Sequence, residues 1–463
     1  MQKFIGRIDE IGALEKAHKS QQSEFFVIYG RRRVGKSELI LQFLKKKASI
    51  YYLGKKATTV FQINEFLNEA SESINEPLLS GYTAENWKTA LSIVVDKWSG
   101  NEKLIIALDE FQWIAEKSPE ILSFIQELWD RNWKNNKKVM LILCGSYIGF
   151  MEKELLGKKS PLFGRRTAQI LLKPFDFIDA GQFHPNYSYE ERAKTFFICG
   201  GIPLYLSFFN KNRSVEINII ENILNQYSPL FKEPDFLIRE ELRDVTNYYA
   251  ILYAIASGKK YHKEISNQTD IESRGLQYYL KQLMEIGYIK KRYPLSTQPP
   301  STKDVLYDLE DPLLRFWFRY IYPNTSYLAH VGGERVFKDR VKPTLQAYFG
   351  SCFERLCRDS IPKIYEKMGV HANYEIGEFW NKNLQIDVVS IRDDRWIDIG
   401  ECKWGNITSE KSLIKAIEQK RDHYPNPKNF TLSCHVFLNK MTQKKENSHV
   451  FWHSLKDLYA DNE

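Results

Sequence analysis

The 463-residue sequence predicts a multidomain α/β protein. Three observations lead to this fold class: a glycine-rich loop between an apolar strand and a helix (25–37), an aliphatic strand that ends in two carboxylates (103–110), and a second strand pair that follows a helical stretch (384–404). Continuous aliphatic strands separated by helices are typical of a parallel sheet covered on both faces. We expect an α/β core over 1–180, a helical segment over 181–240, three helices with a hairpin and an aromatic linker helix over 241–322, and an α/β/α domain over 340–463.

Composition sets broad limits on the class of protein. Hydrophobic residues make up 43% of the chain and aromatic residues 14%, which is ample for packed cores. The formal net charge of +8 is compatible with a nucleic-acid partner but does not require one. No apolar run is long enough to span a bilayer, and the first residues carry charges where a signal peptide has an apolar core, so we expect a cytoplasmic protein with no membrane partner. The cysteines form no CxxC pair, which favours buried, reduced thiols: Cys144, Cys199, Cys352, Cys357, Cys402 and Cys434.

The loop at residues 30–37 has the spacing of a phosphate-binding P-loop, Gly-x-x-x-x-Gly-Lys-Ser, between a strand and a helix. Glycines at its two ends let the backbone wrap closely around a phosphate, and the following helix N-terminus favours negative charge. Lys36 can reach the β- and γ-phosphates of ATP, and Ser37 can supply a hydroxyl to Mg²⁺. The residues predicted to bind the nucleotide here are Gly30, Arg31, Arg32, Arg33, Val34, Gly35, Lys36 and Ser37.

Two carboxylates at the end of the aliphatic strand are predicted to complete a hydrolytic site. In an open α/β sheet, ligands bind at the carboxyl ends of the strands. Asp109 would hold Mg²⁺ through water, and Glu110 would polarise the attacking water. The alternative is a pair of acids that only caps a helix. Upstream, Gly6 and Arg7 precede an amphipathic helix and either contact the base or simply lead into that helix.

Further along, a buried strand (139–144) ends at Gly145 and Ser146. A small polar residue at this point can sense the γ-phosphate from the neighbouring strand, and we expect Ser146 to do so. Arg165 and Arg166 follow in a loop. They either lie on a solvated surface or supply an arginine finger, in cis or from a neighbouring subunit of a homo-oligomer. Of the two, Arg166 is the predicted catalytic residue.

These elements resemble the P-loop ATPases that have an additional strand between the two nucleotide-binding strands. More narrowly, residues 4–205 resemble the archaeal-type ATPase family of archaea and bacteria, through GRRRVGKS, ALDEFQWI, SPLFGRR and GGIPLY. The resemblance implies a P-loop NTPase domain followed by a helical lid.

The middle of the chain changes pattern. Helical stretches at 248–256, 261–268 and 273–286 precede two short strands, which together predict a winged helix-turn-helix. The third helix would read DNA through Arg274, Gln277 and Lys281, with Lys290, Lys291 and Arg292 near the base of the wing. The alternative is an intramolecular lid. The aromatic helix that follows, 311–322, is typical of a core that joins domains.

The C-terminal part carries a second constellation of charged residues. Asp387 lies mid-strand among aliphatic residues, where a carboxylate is costly without a partner. Glu401 and Lys403 share one face of the next strand, and Glu354 lies beside the apolar face of a preceding helix. The three acids would hold Mg²⁺ or Mn²⁺, and Lys403 would orient the attacking water or stabilise the transition state. The alternative is a set of surface salt bridges on a hairpin.

This region resembles the restriction-endonuclease-like PD-(D/E)xK domain that follows the ATPase in the same family. Ile386 stands where that motif has proline, which is a departure from the pattern. The resemblance implies an α/β/α fold for 340–463. We expect an ATPase coupled to a DNA-binding winged helix and a Mg²⁺-dependent nuclease-like domain. The alternatives are a nucleotide-dependent switch or scaffold that binds nucleic acid or protein without cutting, and a transcription regulator that uses the winged helix.

Overall fold

A computed structural model describes residues 4–136, 138–299, 304–407, 409–441 and 449–460. The chain divides into two compact units, which we call unit 1 (Met1–Phe175 with Ile202–Leu204) and unit 2 (Asp176–Gly201 with Tyr205–Glu463). The finer division into four domains stays a prediction. All six cysteines are free and buried, as the sequence predicts. Among the described residues, no helix is both long enough and apolar enough to cross a membrane.

Unit 1 is built on a parallel five-stranded sheet in the order β2-β3-β4-β1-β5. β3 and β4 are buried along their whole length, which their continuous aliphatic sequences predict. β4 lies between β1 and β3, so the expected additional strand is present. The strands are β1 (Glu24–Tyr29), β2 (Ser49–Leu53), β3 (Leu104–Asp109), β4 (Val139–Gly145) and β5 (Ala168–Leu171).

Helices surround this sheet, and one large apolar cluster joins them to it. Phe25 of β1, Leu108 of β3 and Leu141 of β4 share the cluster with Phe66 and Trp87 from two of the helices. The helices of unit 1 are α1 (Ile8–Lys19), α2 (Lys36–Leu44), α3 (Thr59–Ser73), α4 (Trp87–Lys97), α5 (Phe111–Lys117), α6 (Ile121–Leu128), α7 (Lys134–Asn136) and α8 (Ile148–Phe150).

Unit 2 begins with helices and a two-stranded hairpin. The three helices and hairpin predicted in the middle of the chain are present as α14–α16 and β6–β7, and the aromatic helix is α17. These elements are α9 (Phe177–Gly181), α10 (Tyr189–Cys199), α11 (Pro203–Phe208, whose first residues belong to unit 1), α12 (Val215–Asn218), α13 (Pro229–Glu241), α14 (Val245–Ala256), α15 (His262–Thr269), α16 (Ser273–Glu285), β6 (Ile289–Arg292), β7 (Leu306–Leu309) and α17 (Pro312–Tyr320). The predicted polar tip between β6 and β7 lies partly outside the described residues, at 300–303.

The rest of unit 2 holds a mixed five-stranded sheet in the order β12-β11-β10-β9-β8. β8, β9 and β10 are antiparallel, whereas β10, β11 and β12 are parallel. Ile397 and Ile399 of β10 pack with Leu413 and Ile417 of α21 in one apolar cluster. The elements are α18 (Thr325–Val331), α19 (Gly333–Val336), α20 (Lys342–Met368), β8 (Tyr374–Trp380), β9 (Gln385–Arg392), β10 (Trp396–Lys403), α21 (Glu410–His423), β11 (Thr431–Leu438), β12 (Val450–Ser454) and α22 (Leu455–Tyr459).

Candidate functional site

The loop between β1 and α2 has a backbone that only glycine allows at two points. Gly30 has φ 155°, and a Cβ there would lie 2.3 Å from the carbonyl oxygen of Leu172. Gly35, with φ 89°, is in the left-handed region at the start of α2. Arg33 is also left-handed, at φ 68°, and its side chain is exposed, whereas Val34 is fully buried. The loop therefore turns back over the end of β1 and leads into α2.

Lys36 lies inside this loop rather than on its surface. Its side chain is 6% exposed, and its Nζ donates hydrogen bonds to the carbonyl oxygens of Gly30 (3.0 Å) and Arg31 (2.9 Å). Burial lowers the pKa of the Lys36 ammonium group, although the nearby Cys144, Glu110 and Asp109 oppose that shift. The ammonium group is thus placed within the concave side of the loop, where a phosphate would be bound.

Asp109 is the buried anchor at the end of β3. Ser37 Oγ donates to its Oδ2 at 2.5 Å, and the hydroxyl of Tyr51 donates to the same oxygen at 2.7 Å. The backbone N–H of Glu110 donates to Oδ1 at 2.8 Å. Burial and the Asp109 carboxylate raise the pKa of Tyr51, so its hydroxyl remains a donor. Ser37 at the start of α2 and Asp109 at the end of β3 therefore present adjacent oxygen atoms.

Glu110 is held by two donors that come from different elements. Ser146 Oγ donates to Glu110 Oε2 at 2.7 Å, and Gln112 Nε2 donates to the same oxygen. Gln112 Nε2 also lies 3.3 Å from Ser146 Oγ. Glu110 itself has φ 46°, a left-handed backbone at the start of α5 that costs on the order of 1 kcal/mol for a residue other than glycine. The strained backbone and the two donors fix the carboxylate beside the loop.

Arg7 supports the loop from behind. Its Nη2 donates to the carbonyl oxygens of Val34 (3.1 Å) and Lys173 (2.7 Å), and its guanidinium lies 4.0 Å from the centre of the Phe175 ring. Gly6 and Arg7 both have left-handed φ values of 60°. These contacts make Arg7 a positioning residue for the loop, and contact with a base stays a prediction.

The two arginines of the predicted finger differ in their partners. Arg165 is bound by Asp130, through its Nε at 3.0 Å and its Nη2 at 2.8 Å, and it also donates to the carbonyl oxygen of Pro161. Arg166 Nη1 is buried and has no hydrogen-bond partner among the described residues. The charge of Arg166 also acts on Tyr29, at the end of β1. Arg165 therefore holds its own loop in shape, whereas Arg166 keeps donor capacity.

In unit 2, Asp387, Glu401 and Lys403 come together on neighbouring strands. Lys403 Nζ lies 2.7 Å from Glu401 Oε1, and Lys420 of α21 pairs with Oε2. Asp387 Oδ2 accepts the backbone N–H of Cys402 at 2.9 Å. Burial and the Glu401 charge raise the pKa of Asp387. Lys420 is therefore paired with an acid in the structure.

Glu354 of α20 lies near this group, since burial and then the Asp387 charge raise its pKa to about 7. However, no group of three or more His, Cys, Asp or Glu side chains in the described part of the chain could hold a metal ion. The physical reason at Glu401 is that lysines occupy both carboxylate oxygens. The structure therefore does not bring Glu354, Asp387 and Glu401 together as the expected set of metal ligands.

Sequence reasoning missed two residues of the unit 1 site, Tyr51 and Gln112. Tyr51 lies on β2, and the parallel pairing of β2 with β3 brings it to Asp109. Gln112 follows Glu110 by two residues in α5, so its position after the acidic pair is the one signal that could have found it.

Comparison with known proteins agrees with this architecture. The chain matches an ATPase domain found predominantly in Archaea over residues 4–209, and archaeal and bacterial proteins of unknown function over residues 317–417. An uncharacterized protein of Methanocaldococcus jannaschii is 30% identical over 466 residues, which cover 98% of this chain and 100% of that protein. The chain belongs to the family of this relative. In this family member, unit 1 carries an ATPase domain of the predominantly archaeal type.

Two further proteins are similar to parts of this chain. An uncharacterized ATP-binding protein of Methanocaldococcus jannaschii is 40% identical to this family member over 52 residues, which are 10% of this chain and 88% of that protein. The Walker-type ATPase of Pyrococcus abyssi has 20% sequence identity and a TM-score of 0.52, covering 68% of this chain and 96% of that chain. The second match shows a shared fold: an α/β domain with a parallel sheet, typical of P-loop ATPases.

Proposed function

We propose that unit 1 binds and hydrolyses ATP at the loop of residues 30–37, with Mg²⁺ as the cofactor. The observation that carries this proposal is the 2.5 Å contact between Ser37 Oγ and Asp109 Oδ2. A hydroxyl and a carboxylate beside a phosphate-binding loop are the protein ligands that a Mg²⁺–ATP complex uses, and their oxygen atoms suit this hard cation. When bound, Mg²⁺ would neutralise charge on the β- and γ-phosphates.

The chain's own residues supply the rest of the chemistry. The loop N–H groups and Lys36 bind the phosphates and orient them. Glu110, held by Ser146 and Gln112, accepts a hydrogen bond from the attacking water and so orients it towards the γ-phosphate. Arg166, which keeps an unpartnered buried donor among the described residues, neutralises charge that develops in the transition state, in cis or from a second copy of the chain.

Steady-state turnover of ATP tests this proposal. Lys36→Ala removes a donor that is aimed at the phosphates, so turnover should fall by about 100-fold or more. Lys55→Ala is the matched control, because Lys55 is an exposed lysine of unit 1 that pairs with Glu65 at 2.7 Å. Undiminished turnover in Lys36→Ala, or an equal loss in both variants, rejects the assignment.

For α14–α16 and the β6–β7 hairpin we propose a winged helix-turn-helix. Arg274, Gln277 and Lys281 of α16 are all exposed, which leaves this face of the helix open to a nucleic acid. Arg292, by contrast, is 13% exposed and pairs with Asp308 and Glu378, so it is not available to DNA. Duplex binding that is insensitive to Arg274→Ala and Lys281→Ala would support the intramolecular lid instead.

A second candidate function concerns the C-terminal sheet, which we propose as a restriction-endonuclease-like domain of the PD-(D/E)xK type. The cluster of Asp387, Glu401 and Lys403 on adjacent strands supports this assignment. Because lysines hold both oxygens of Glu401, the residues as arranged do not fit a metal ion, and no cleavage step follows from this geometry. The form we propose is therefore a nucleotide-dependent switch whose C-terminal domain binds nucleic acid without cutting it.

Incubation with several forms of DNA and either Mg²⁺ or Mn²⁺ separates binding from cleavage. We expect intact DNA, with binding that weakens in Lys403→Ala, and Lys411→Ala as the control, since Lys411 is an exposed residue of α21. Cleavage by the wild type that disappears in Glu401→Ala would overturn the non-cutting form and restore the nuclease. Absence of any binding would reject the nucleic-acid partner.

A further inference from the structure

Unit 2 contains a cavity of about 590 Å³ that is separate from the P-loop. It is lined by the winged-helix module, α17, α20, and strands β8 and β9. A cavity of this size accommodates a small molecule such as a mononucleotide. Its charged lining has four acidic side chains, Glu264, Asp308, Glu354 and Glu378, and five basic ones: Lys260, Arg292, Arg315, Arg319 and Arg355.

Three of these basic side chains are already neutralised. Asp308, which is 5% exposed, pairs with Arg292 and Arg355, and with Lys260 at 3.5 Å. Although burial works in the opposite direction, these three cations, together with the charge of Arg315, hold the pKa of Asp308 well below its usual range. Glu378 also pairs with Arg292. In this part of the lining, the carboxylates of Asp308 and Glu378 are therefore held in ion pairs with neighbouring cations.

Two other acids line the cavity, and neither provides a partner for the remaining cations. Glu264 Oε2 accepts the backbone N–H groups of Lys260 and Tyr261, at 3.1 Å and 3.2 Å, as part of a helix cap. Glu354 has no ion pair among the described residues. Among the described residues, none of the four acids in the lining therefore forms an ion pair with the remaining arginines.

Arg315 and Arg319 are those remaining arginines, one helical turn apart on α17. Neither forms an ion pair with a carboxylate anywhere in the described chain. The guanidinium of Arg319 is exposed and meets only the rings of Tyr320 (5.5 Å) and Tyr348 (5.8 Å). Asp308 and Glu310 act on the Arg315 guanidinium through their charge but form no ion pair with it, so two neighbouring guanidinium groups that no described carboxylate contacts make a site for an anion.

Unsatisfied donors in the same lining point to the same class of ligand. Arg315 Nε and Trp380 Nε1 are both buried, and neither has a hydrogen-bond partner within the described residues. Both groups are donors only, so the partner that satisfies them must be an acceptor. A buried donor without a partner is destabilising, and a ligand rich in acceptor oxygens would remove that cost. Tyr261, 38% exposed, adds a ring on which a flat base can stack.

We propose that this cavity binds the phosphate monoester of a nucleotide, with Arg315 and Arg319 as the phosphate ligands. A phosphate monoester supplies several acceptor oxygens and up to two negative charges, which match two guanidinium groups and the unsatisfied N–H donors. This site goes beyond the ATPase of unit 1 and does not depend on it. The phosphate can belong to a free mononucleotide or to the 5′ end of a nucleic acid.

Calorimetric titration of the full chain carrying Lys36→Ala tests the proposal, because that change impairs the P-loop. The probes are AMP, adenosine, and a short oligonucleotide with and without a 5′-phosphate. We expect AMP or the phosphorylated oligonucleotide to bind, and the probes that lack a phosphate monoester to bind at least about 10-fold more weakly, the value of one charged hydrogen bond. Binding of AMP identifies a free nucleotide as the source, whereas binding of the phosphorylated oligonucleotide alone identifies a nucleic-acid end.

Substitutions in α17 locate the site. In the Lys36→Ala background, Arg319→Gln and Arg315→Gln should each weaken phosphate binding by about 10-fold or more. Arg319 is exposed, so its variant folds even where the substitution of Arg315 impairs folding. Arg335→Gln is the control, because Arg335 is 60% exposed and pairs with Asp339 at 2.7 Å outside the cavity. Absence of binding by any phosphorylated probe, or affinity unchanged in Arg319→Gln, overturns the proposal.

Discussion

Ser146 Oγ donates a 2.7 Å hydrogen bond to Oε2 of Glu110, which joins the ends of two neighbouring strands. Ser146 follows β4 and Glu110 follows β3, and the parallel pairing of these strands brings both ends to the same edge of the sheet. The pair is therefore a link between the residue proposed to orient water and the residue proposed to sense the γ-phosphate. A change at either position should alter catalysis without altering the fold.

The first prediction concerns this pair. Glu110→Gln should lower ATP turnover by about 100-fold or more, because a neutral amide polarises and orients the attacking water less well than a carboxylate does. Ser146→Ala should lower turnover by about 10-fold, since it removes one hydrogen bond to a charged group. Nucleotide binding should persist in both variants, as measured by fluorescence titration. Ser80→Ala, at an exposed serine of unit 1, is the control, and a loss of binding rather than of turnover would contradict the assigned roles.

The second prediction separates the two loop arginines. Arg166→Ala should lower turnover by about 1,000-fold if Arg166 acts as a finger. Arg165→Ala should keep most of the activity and cost about 0.5–1 kcal/mol of stability, because the Arg165–Asp130 pair is partly exposed. Mixing Arg166→Ala with Lys36→Ala chains distinguishes the source of the finger: recovered turnover indicates that a second copy supplies it, and no recovery indicates a finger in cis. Full activity in Arg166→Ala excludes both.

The third prediction is about the backbone of the loop. Gly30→Ala places a Cβ 2.3 Å from the carbonyl oxygen of Leu172, so the loop or β5 must shift. We expect a loss of about 2–4 kcal/mol in the free energy of unfolding and weaker ATP binding. Gly12→Ala in α1 is the control, since nothing lies within 4 Å of its Cβ position and alanine favours a helix by about 1 kcal/mol. Equal stability of the two variants in urea denaturation would contradict the geometry.

The fourth prediction is a pH dependence in unit 2. Burial and the neighbouring His435 and Lys367 lower the pKa of His453 to about 3. The unfolded chain therefore binds a proton at this residue below its ordinary pKa of about 6.5, whereas the folded chain does not. As a result, His453 makes the free energy of unfolding fall as the pH decreases from about 6.5 towards 3. Its Nε2 lies 3.0 Å from Nδ1 of His435, and Asp398 lies on the far side of His435.

His453→Gln removes this titration and keeps a group that can hydrogen bond to His435. The variant's free energy of unfolding should depend less on pH between 5 and 7 than that of the wild type, measured by urea denaturation. The difference between the pKa of His453 in the unfolded and in the folded chain contributes at most about 4–5 kcal/mol to the free energy of unfolding. Solvent screening reduces this contribution. His449→Gln is the control, because His449 is an exposed histidine of the same unit. Identical pH profiles for wild type and His453→Gln would contradict the prediction.

Much of unit 1 was predictable because its signals are local. The glycine-lysine-serine loop and the aliphatic strand that ends at Asp109 each predict where a strand ends and which functional side chains follow it. In a parallel sheet these strand ends lie at one edge. The role of Tyr51 could not be predicted, because it depends on the β2–β3 pairing and not on residues that are adjacent in sequence. The sequence predicted Arg166 rather than Arg165 as the catalytic arginine, but only the folded chain shows that Asp130 binds Arg165.

The amino-acid sequence by itself determined the phosphate-binding loop, the acidic strand end and the β9–β10 hairpin, because short-range spacing and hydrophobic period encode them. Only the tertiary structure determined which charged side chains form ion pairs. Lys420 from α21 pairs with Glu401 and Glu378 from β8 pairs with Arg292, whereas Arg166, Arg315 and Arg319 keep their capacity to bind. The physical reason is that an ion pair depends on distances of about 4 Å between side chains, and only the folded chain sets those distances.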